Sequence, residues 1–194
     1  MFRRGVRSRA AHLDITARAA RRDCWFGPRR KLERFDSQSC RPGGGGPRRS
    51  PPSPIGLRQL EGDVFELVHP PCVQEVDLDY QEGLEIWKNG EPEEARDALR
   101  FALEGCGDNL WIHVALGDLA LKEFRDPILA RGHYGYAFEL GHRALPPDFA
   151  GKLPRERPAN RPFHDALQGL AACLRAMDEH READRLAKLQ ERLR

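Results

Sequence analysis

Histidine and cysteine are the side chains in this sequence that could bind a metal or act as a catalytic nucleophile. None of them stands in an HxxxH, HExxH or CxxC spacing, the patterns that bring two ligands together locally. A cysteine that lies beside a histidine distant in the sequence could act as a nucleophile, and this is the enzymatic alternative left open. No recognisable signature surrounds any cysteine. We therefore predict no catalytic residue, no metal site, no cofactor and no enzymatic activity. The side chains considered are His113, His133, His142, His164, His180, Cys72, Cys106 and Cys173.

The five cysteines are scattered and odd in number, so the sequence predicts no disulfide framework. No stretch approaches the roughly 18 apolar residues that cross a bilayer, and the N-terminus lacks the continuous apolar core of a secretory signal. We therefore expect a cytoplasmic protein with no membrane partner. The arginine-rich opening also has the composition of an organelle transit peptide, which is the alternative.

Charge and composition divide the chain into parts. Residues 1–54 carry 14 Lys and Arg against 4 Asp and Glu, a local charge of +10, whereas residues 55–194 carry −8. Four consecutive glycines and many prolines lie in the basic part, which cannot bury enough apolar surface to fold.

We predict a disordered arm at 1–54, an extended lead-in at 55–75 with one short strand or an extended arm near 64–68, and a helical domain at 76–194. The arm could bind nucleic acid through phosphates, or be a solvated tail or the product of a start assigned too early.

Apolar residues recur with a helical period from about residue 76 to the end. Ala95, Leu99 and Ala102 follow the i, i+4, i+7 spacing of one apolar helix face. Asp126 followed by Pro127 is typical of a helix start. The predicted helices span residues 75–89, 93–105, 109–123, 127–145, 162–177 and 180–193.

A 34-residue period organises these helices into pairs. With Val76 as position 1 of a unit, Gly83 falls at position 8 and Ala95 at position 20. With Leu110 as the next position 1, Gly117 again falls at position 8. Internal repetition of this length is typical of stacked helix pairs.

Small residues at positions 8, 20 and 27 of a 34-residue unit resemble the tetratricopeptide repeat (TPR) consensus, in which they let the two helices of a hairpin approach closely. A third unit starts at His164, with Ala171 at position 8. The resemblance implies an all-α fold, a short TPR-like solenoid of stacked antiparallel helix hairpins over residues 76–194. His113 takes a core position of its unit and His133 lies on an apolar stripe, so both are expected to be packed histidines rather than ligands.

The resemblance also implies a binding surface. In the family, positions 2, 5, 9, 12 and 13 of each first helix face a concave side, so we expect a protein–protein interaction adaptor that binds a peptide or helix of a protein partner there. Family members that clamp a C-terminal carboxylate use Lys at position 5 and Asn at position 9, whereas this chain has Tyr80 and Leu84, then Val114 and Asp118. Packing between neighbouring helices is the alternative role for the tryptophans. The predicted partner-binding residues are Tyr80, Trp87, Lys88, Trp111, Asp118, Lys122 and Arg175.

An irregular loop at residues 146–161 separates the second unit from the third. Three units are the minimum for a stable solenoid, so its ends need cover. Either this loop and the segment near Phe65 cap the ends, or the ends meet another subunit. Nucleic acid is the alternative partner, through the N-terminal arm alone.

Overall fold

A computed structural model describes residues 55–194, and helices form most of this part of the chain. Each predicted helix is present, with both ends within two positions of the predicted ones, and a further single turn, α1, precedes them. The predicted all-α fold of stacked antiparallel helix hairpins is thus confirmed. The helices are α1 (Cys72–Glu75), α2 (Asp77–Lys88), α3 (Pro92–Gly105), α4 (Leu110–Lys122), α5 (Pro127–Arg143), α6 (Arg161–Ala176) and α7 (His180–Arg192).

Capping side chains explain where two of these helices begin. The Asn109 side chain accepts hydrogen bonds from the backbone N–H groups of Trp111 at 3.0 Å and Ile112 at 3.3 Å. Asp126 does the same for the first turn of α5. Pro127 then takes the first helical position, where its missing N–H leaves no bond unmade. The second helix pair therefore has both of its starts fixed by local chemistry.

Consecutive helices pack as the pairs α2 with α3, α4 with α5 and α6 with α7, and α4 also packs against α6. Position 8 of each unit lies at the contact within its pair. A Cβ atom added at Gly83 would lie 2.8 Å from Leu99, and one added at Gly117 would lie 2.8 Å from the Tyr134 ring. Ala171 is buried in the third pair. The predicted close approach of paired helices at these small residues is confirmed.

The lead-in forms a two-stranded antiparallel sheet, whereas the sequence pattern predicts at most one strand. β1 (Gly56–Gln59) pairs with β2 (Phe65–Val68), and Leu57 lies opposite Leu67. β2 is the predicted strand. β1 escapes prediction because Leu57 is its one apolar side chain, so no alternation marks it. The sequence feature that does indicate a hairpin here is Gly62, which lies in the turn between the two strands and has a φ of +58°.

A disulfide joins Cys72 to Cys106, which corrects the expectation drawn from cysteine spacing. Their Cα atoms lie 5.4 Å apart, and the two residues are 34 positions apart in the sequence. This separation equals the repeat length, because each cysteine precedes the first position of a unit, Val76 or Leu110, by four residues. Since α2 and α3 are antiparallel, the start of the first pair lies beside its end. Counting cysteines without placing them in the repeat misses this relation.

The loop at residues 146–161 is tied to the strands through Asn160, which is completely buried. Its side-chain oxygen accepts a hydrogen bond from the Leu67 N–H at 2.9 Å. Its side-chain nitrogen donates to the backbone carbonyls of Phe65 and Pro154, both at 3.1 Å. One side chain therefore fixes the strands, the loop and the start of α6 to each other.

The same loop reaches the end of the last helix. The Leu153 N–H donates to the carbonyl of Leu193 at 2.7 Å. The loop and the strands cover the edge where helix ends meet, as the first of the two alternatives expects, and contact of the ends with another subunit stays a prediction. The buried apolar side chains of this edge include Ile55, Leu67, Leu153, Phe163 and Leu193.

Between residues 55 and 194, no helix has the combined length and apolar character that a bilayer-spanning helix needs. The predicted disorder of residues 1–54, and the nucleic-acid binding predicted for them, fall outside the described residues.

Candidate functional site

A cavity of about 290 Å³ opens between α2, α4 and α6, the first helices of the three pairs. We call this cavity the groove. At this size it admits a few side chains of a partner rather than a whole drug-sized molecule. Its lining residues are Tyr80, Leu84, Trp87, Trp111, Val114, Ala115, Asp118, Arg161, Pro162 and Asp165.

Predicted site residues from the first two units meet at the groove. Tyr80, Trp87, Trp111 and Asp118 line it. Lys122 lies at its rim, with its Nζ 2.7 Å from the Asp118 carboxylate and 5.8 Å from the centre of the Trp87 ring. Positions carried over from the repeat pattern therefore converge on one cavity, and their role in binding stays a prediction.

Two predicted site residues lie elsewhere. Lys88 is exposed in the last turn of α2 and does not line the groove. Arg175 of α6 lies 3.8 Å from the Asp184 carboxylate of α7, so it joins the two helices of the third pair. Their assignment to partner binding stays a prediction that finds no contact in the groove.

Both tryptophans contact a neighbouring element as well as the groove. The Trp87 indole N–H donates to the Glu123 carboxylate at 2.9 Å, which links α2 to the end of α4. The Trp111 ring lies 4.2 Å from the His69 ring, which follows β2. Packing between elements, the alternative role, is therefore combined with lining the groove. These contacts hold the rings in place before any partner arrives.

Arg161 and Pro162 are groove residues that the repeat pattern misses. They open α6, whereas the prediction treats residues 146–161 as an irregular loop. A sequence signal for these two residues does exist. The start of a first helix lies on the same side of its unit as position 2, so extending the pattern to the residues before His164 would have included Arg161 and Pro162.

Carboxylates surround the Tyr80 hydroxyl. Burial is the main cause that raises the pKa of Tyr80 to about 12, and the charges of Asp77, Asp118 and Asp165 act in the same direction. The hydroxyl of Tyr134 donates a hydrogen bond to the Asp118 carboxylate. Tyr80 is therefore a neutral phenol at physiological pH, in an environment that opposes further negative charge.

His113 and His133 pack against each other, as their positions on apolar faces predict. Their Nδ1 atoms lie 3.3 Å apart, and the His113 Nε2 lies 3.0 Å from the Gly107 carbonyl. The carbonyl can only accept, so His113 donates from Nε2 and its Nδ1 accepts the proton of the His133 Nδ1. Burial lowers the pKa of both histidines, and for His133 the charges of His113 and Arg100 lower it further, to about 4.

The remaining candidate ligands and nucleophiles do not meet in one place. Within residues 55–194, no three or more His, Cys, Asp or Glu side chains cluster as metal ligands. Cys173 is fully buried, and burial raises the pKa of its thiol, which disfavours the reactive thiolate. His164 is also fully buried and donates from Nε2 to the carbonyl of Leu153.

The paired helices, their 34-residue spacing and the small residues at their contacts give the described domain a divergent TPR-like fold. Comparison with protein-family models gives no match, and neither does comparison with curated protein sequences. Among solved structures, the chain is similar to the second TPR domain of Spaghetti (RPAP3) bound to the HSP90 peptide SRMEEVD. The identity is 15%, the TM-score is 0.48, and the similarity covers 63% of this chain and 94% of that chain.

Proposed function

We propose that the described domain is an adaptor module that binds a peptide or helical segment of a partner protein in the groove and catalyses no reaction. The supporting observation is the convergence of Tyr80, Trp87 and Trp111, from two helices, around one open cavity. Half-buried aromatic rings with a polar edge are the side chains that contribute most to binding energy at protein interfaces. Because the helices already hold them, binding loses little side-chain entropy.

Capture of partners by wild-type and variant proteins tests this proposal. The full chain is immobilised, exposed to cell extract and analysed by mass spectrometry, beside a Tyr80→Ala, Trp111→Ala double variant. Phe101→Ala is the matched control, because Phe101 is an aromatic residue on α3, 65% exposed and outside the groove. We expect wild type and the control to recover the same proteins and the double variant, checked for folding by circular dichroism, to lose them. Recovery of the same proteins by the double variant would show that the groove is not the binding site.

We also propose a cytoplasmic location, in which the Cys72–Cys106 disulfide of the structure would be reduced to two thiols. Secretory compartments, in contrast, keep such a pair oxidised. Quenching living cells in acid and then unfolding the protein in denaturant with N-ethylmaleimide should label both cysteines if the protein is cytoplasmic, because unfolding exposes Cys106, which is 2% exposed in the folded protein. An unlabelled, disulfide-linked pair in the same peptide map would argue against that location.

A further inference from the structure

Each of the first helices contributes an aspartate to the surroundings of the groove. Asp77 belongs to α2, Asp118 to α4 and Asp165 to α6. Asp118 and Asp165 line the cavity, and the charges of all three reach the Tyr80 hydroxyl. Residues 55–194 as a whole carry a net charge of −8. The potential at the Tyr80 hydroxyl therefore favours a cation, and the net charge of residues 55–194 acts in the same direction over longer range.

The chain's own Lys122 shows how a cation fits this surface. Its ammonium lies between the Asp118 carboxylate and the face of the Trp87 ring, a combination of ion pair and cation–π contact. The Lys122 side chain is 58% exposed, so this pair is weak and its lysine is free to leave. A cation from a partner would use the same chemistry at the lining residues Trp111 and Tyr80.

Two arginines lie near the groove. The Arg155 guanidinium lies 2.6 Å from the Asp165 carboxylate, and 46% of the Arg155 side chain is exposed. Arg161 lines the cavity and is exposed at the start of α6. Arg161 would attract an acidic group, which makes an acidic peptide the competing occupant. Asp118 and Asp165 both line the cavity and both act on the Tyr80 hydroxyl, so two carboxylates there compete with the one guanidinium group of Arg161.

We propose that the groove selects a peptide segment in which a lysine or arginine lies next to apolar side chains. The cation enters beside Tyr80, between Asp118 and Asp165, and the apolar neighbours pack on Trp87 and Trp111. This selection rests on the proposed function of the groove and adds the chemistry of the partner to it. Carboxylates and aromatic rings hold a guanidinium or ammonium group by the contacts that Lys122 already makes.

A phage-displayed library of random 12-residue peptides tests the selection without a known partner. The library is selected on the immobilised full chain and, in parallel, on the Tyr80→Ala, Trp111→Ala double variant. Peptides that bind both proteins are removed, including any that bind residues 1–54, which are the same in both. We expect the remaining peptides to be enriched several-fold in Lys and Arg over the starting library, with apolar residues beside them.

A selected peptide, synthesised with a fluorescent label, then measures the contribution of charge. We expect about tenfold weaker binding when its lysine or arginine is replaced by glutamine, and a similar loss with the Asp77→Asn, Asp165→Asn variant. Glu94→Gln and Asp97→Asn on the exposed surface of α3 form the matched control, which removes equal charge away from the groove. That control should retain most of the affinity, because exposed charges at a distance are screened by salt.

The other outcomes separate this inference from the function on which it rests. Enrichment of Asp and Glu would overturn cation selection and point to Arg161 as the anchor. Enrichment of apolar residues without either charge would also overturn it, while leaving a binding groove. Failure to find any peptide that depends on Tyr80 and Trp111 would overturn both the selection and the groove.

Discussion

Asn160 ties β2 to the loop before α6 through hydrogen bonds of one side chain. It is fully buried and makes three hydrogen bonds to backbone groups of β2 and of the preceding loop. Asn160→Ala would remove the bonds to the Leu67 N–H and the Phe65 carbonyl, whereas the Pro154 carbonyl keeps the Arg157 N–H, so we expect a loss of about 3 kcal/mol in the free energy of unfolding. Urea denaturation followed by circular dichroism measures it.

Asn89→Ala is the matched control for that variant. Asn89 is exposed at the end of α2, so its replacement should change the free energy of unfolding by less than about 0.5 kcal/mol. Equal urea midpoints for the two variants would show that the Asn160 bonds do not hold the strands in place.

The His113–His133 contact makes stability depend on pH. The pKa of His133 is about 4 in the folded protein, below its ordinary value of 6.5, so the unfolded chain takes up a proton first as the pH falls. Stability from this group is fully present above about pH 6.5 and is lost as the pH falls toward 4. His133→Gln should remove on the order of 2 kcal/mol from the difference in stability between pH 7 and pH 4.5.

Thermal or urea unfolding at both pH values measures this difference. Carboxylates also titrate in this range. The quantity to compare is therefore the difference in pH dependence between the variant and the wild type, and not the total pH dependence of either protein. His180→Gln is the control, because the His180 side chain is 67% exposed, and it should reproduce the wild-type pH dependence. A pH dependence unchanged by His133→Gln would contradict burial of His133 as a neutral side chain.

At the level of helix pairs, two glycines should respond to the same substitution with opposite signs. Gly117→Ala places a methyl group against the Tyr134 ring, which also lies against Gly169 and has no room to retreat. We expect a loss of about 1–2 kcal/mol, since the clash exceeds the gain in helix propensity. Gly132→Ala, in the middle of α5 with nothing within 4 Å, should gain about 0.5–1 kcal/mol. A gain in thermal stability from Gly117→Ala as well as from Gly132→Ala would show that α4 and α5 do not pack closely at Gly117.

Helix pairing could be predicted from the sequence because it depends on local spacing. Gly83 and Gly117 recur every 34 residues, and the helix period and the Asp126–Pro127 start are equally local signals. Features that join distant segments could not be predicted this way. β1 has one apolar side chain and is a strand because β2 and the loop lie beside it. Cys72 and Cys106 pair because an antiparallel hairpin brings its two ends together.

The residues of the candidate site also divide into those that local spacing predicts and those whose contacts depend on distant segments. Tyr80, Trp87, Trp111 and Asp118 follow from repeat positions, since each first helix presents the same positions to the same side. Arg161 lies in the groove because it opens α6, three residues before the first position of the third unit, so the numbered repeat positions do not include it. Arg175 matches a predicted position, yet its contact is Asp184 of α7. A pattern averaged over a family does not include the charge that a particular neighbour supplies.

Photo-crosslinking tests the central claim, that the partner binds between the first helices of the three pairs. A benzophenone amino acid replaces Leu84, inside the groove, or Phe101, on the exposed face of α3, in the full chain, so that Tyr80 and Trp111 stay in place. Each protein is irradiated with a partner recovered by the wild type, and crosslinked products are separated by electrophoresis. We predict crosslinking from position 84 and none from position 101. Crosslinking from position 101 with none from position 84 would contradict the account.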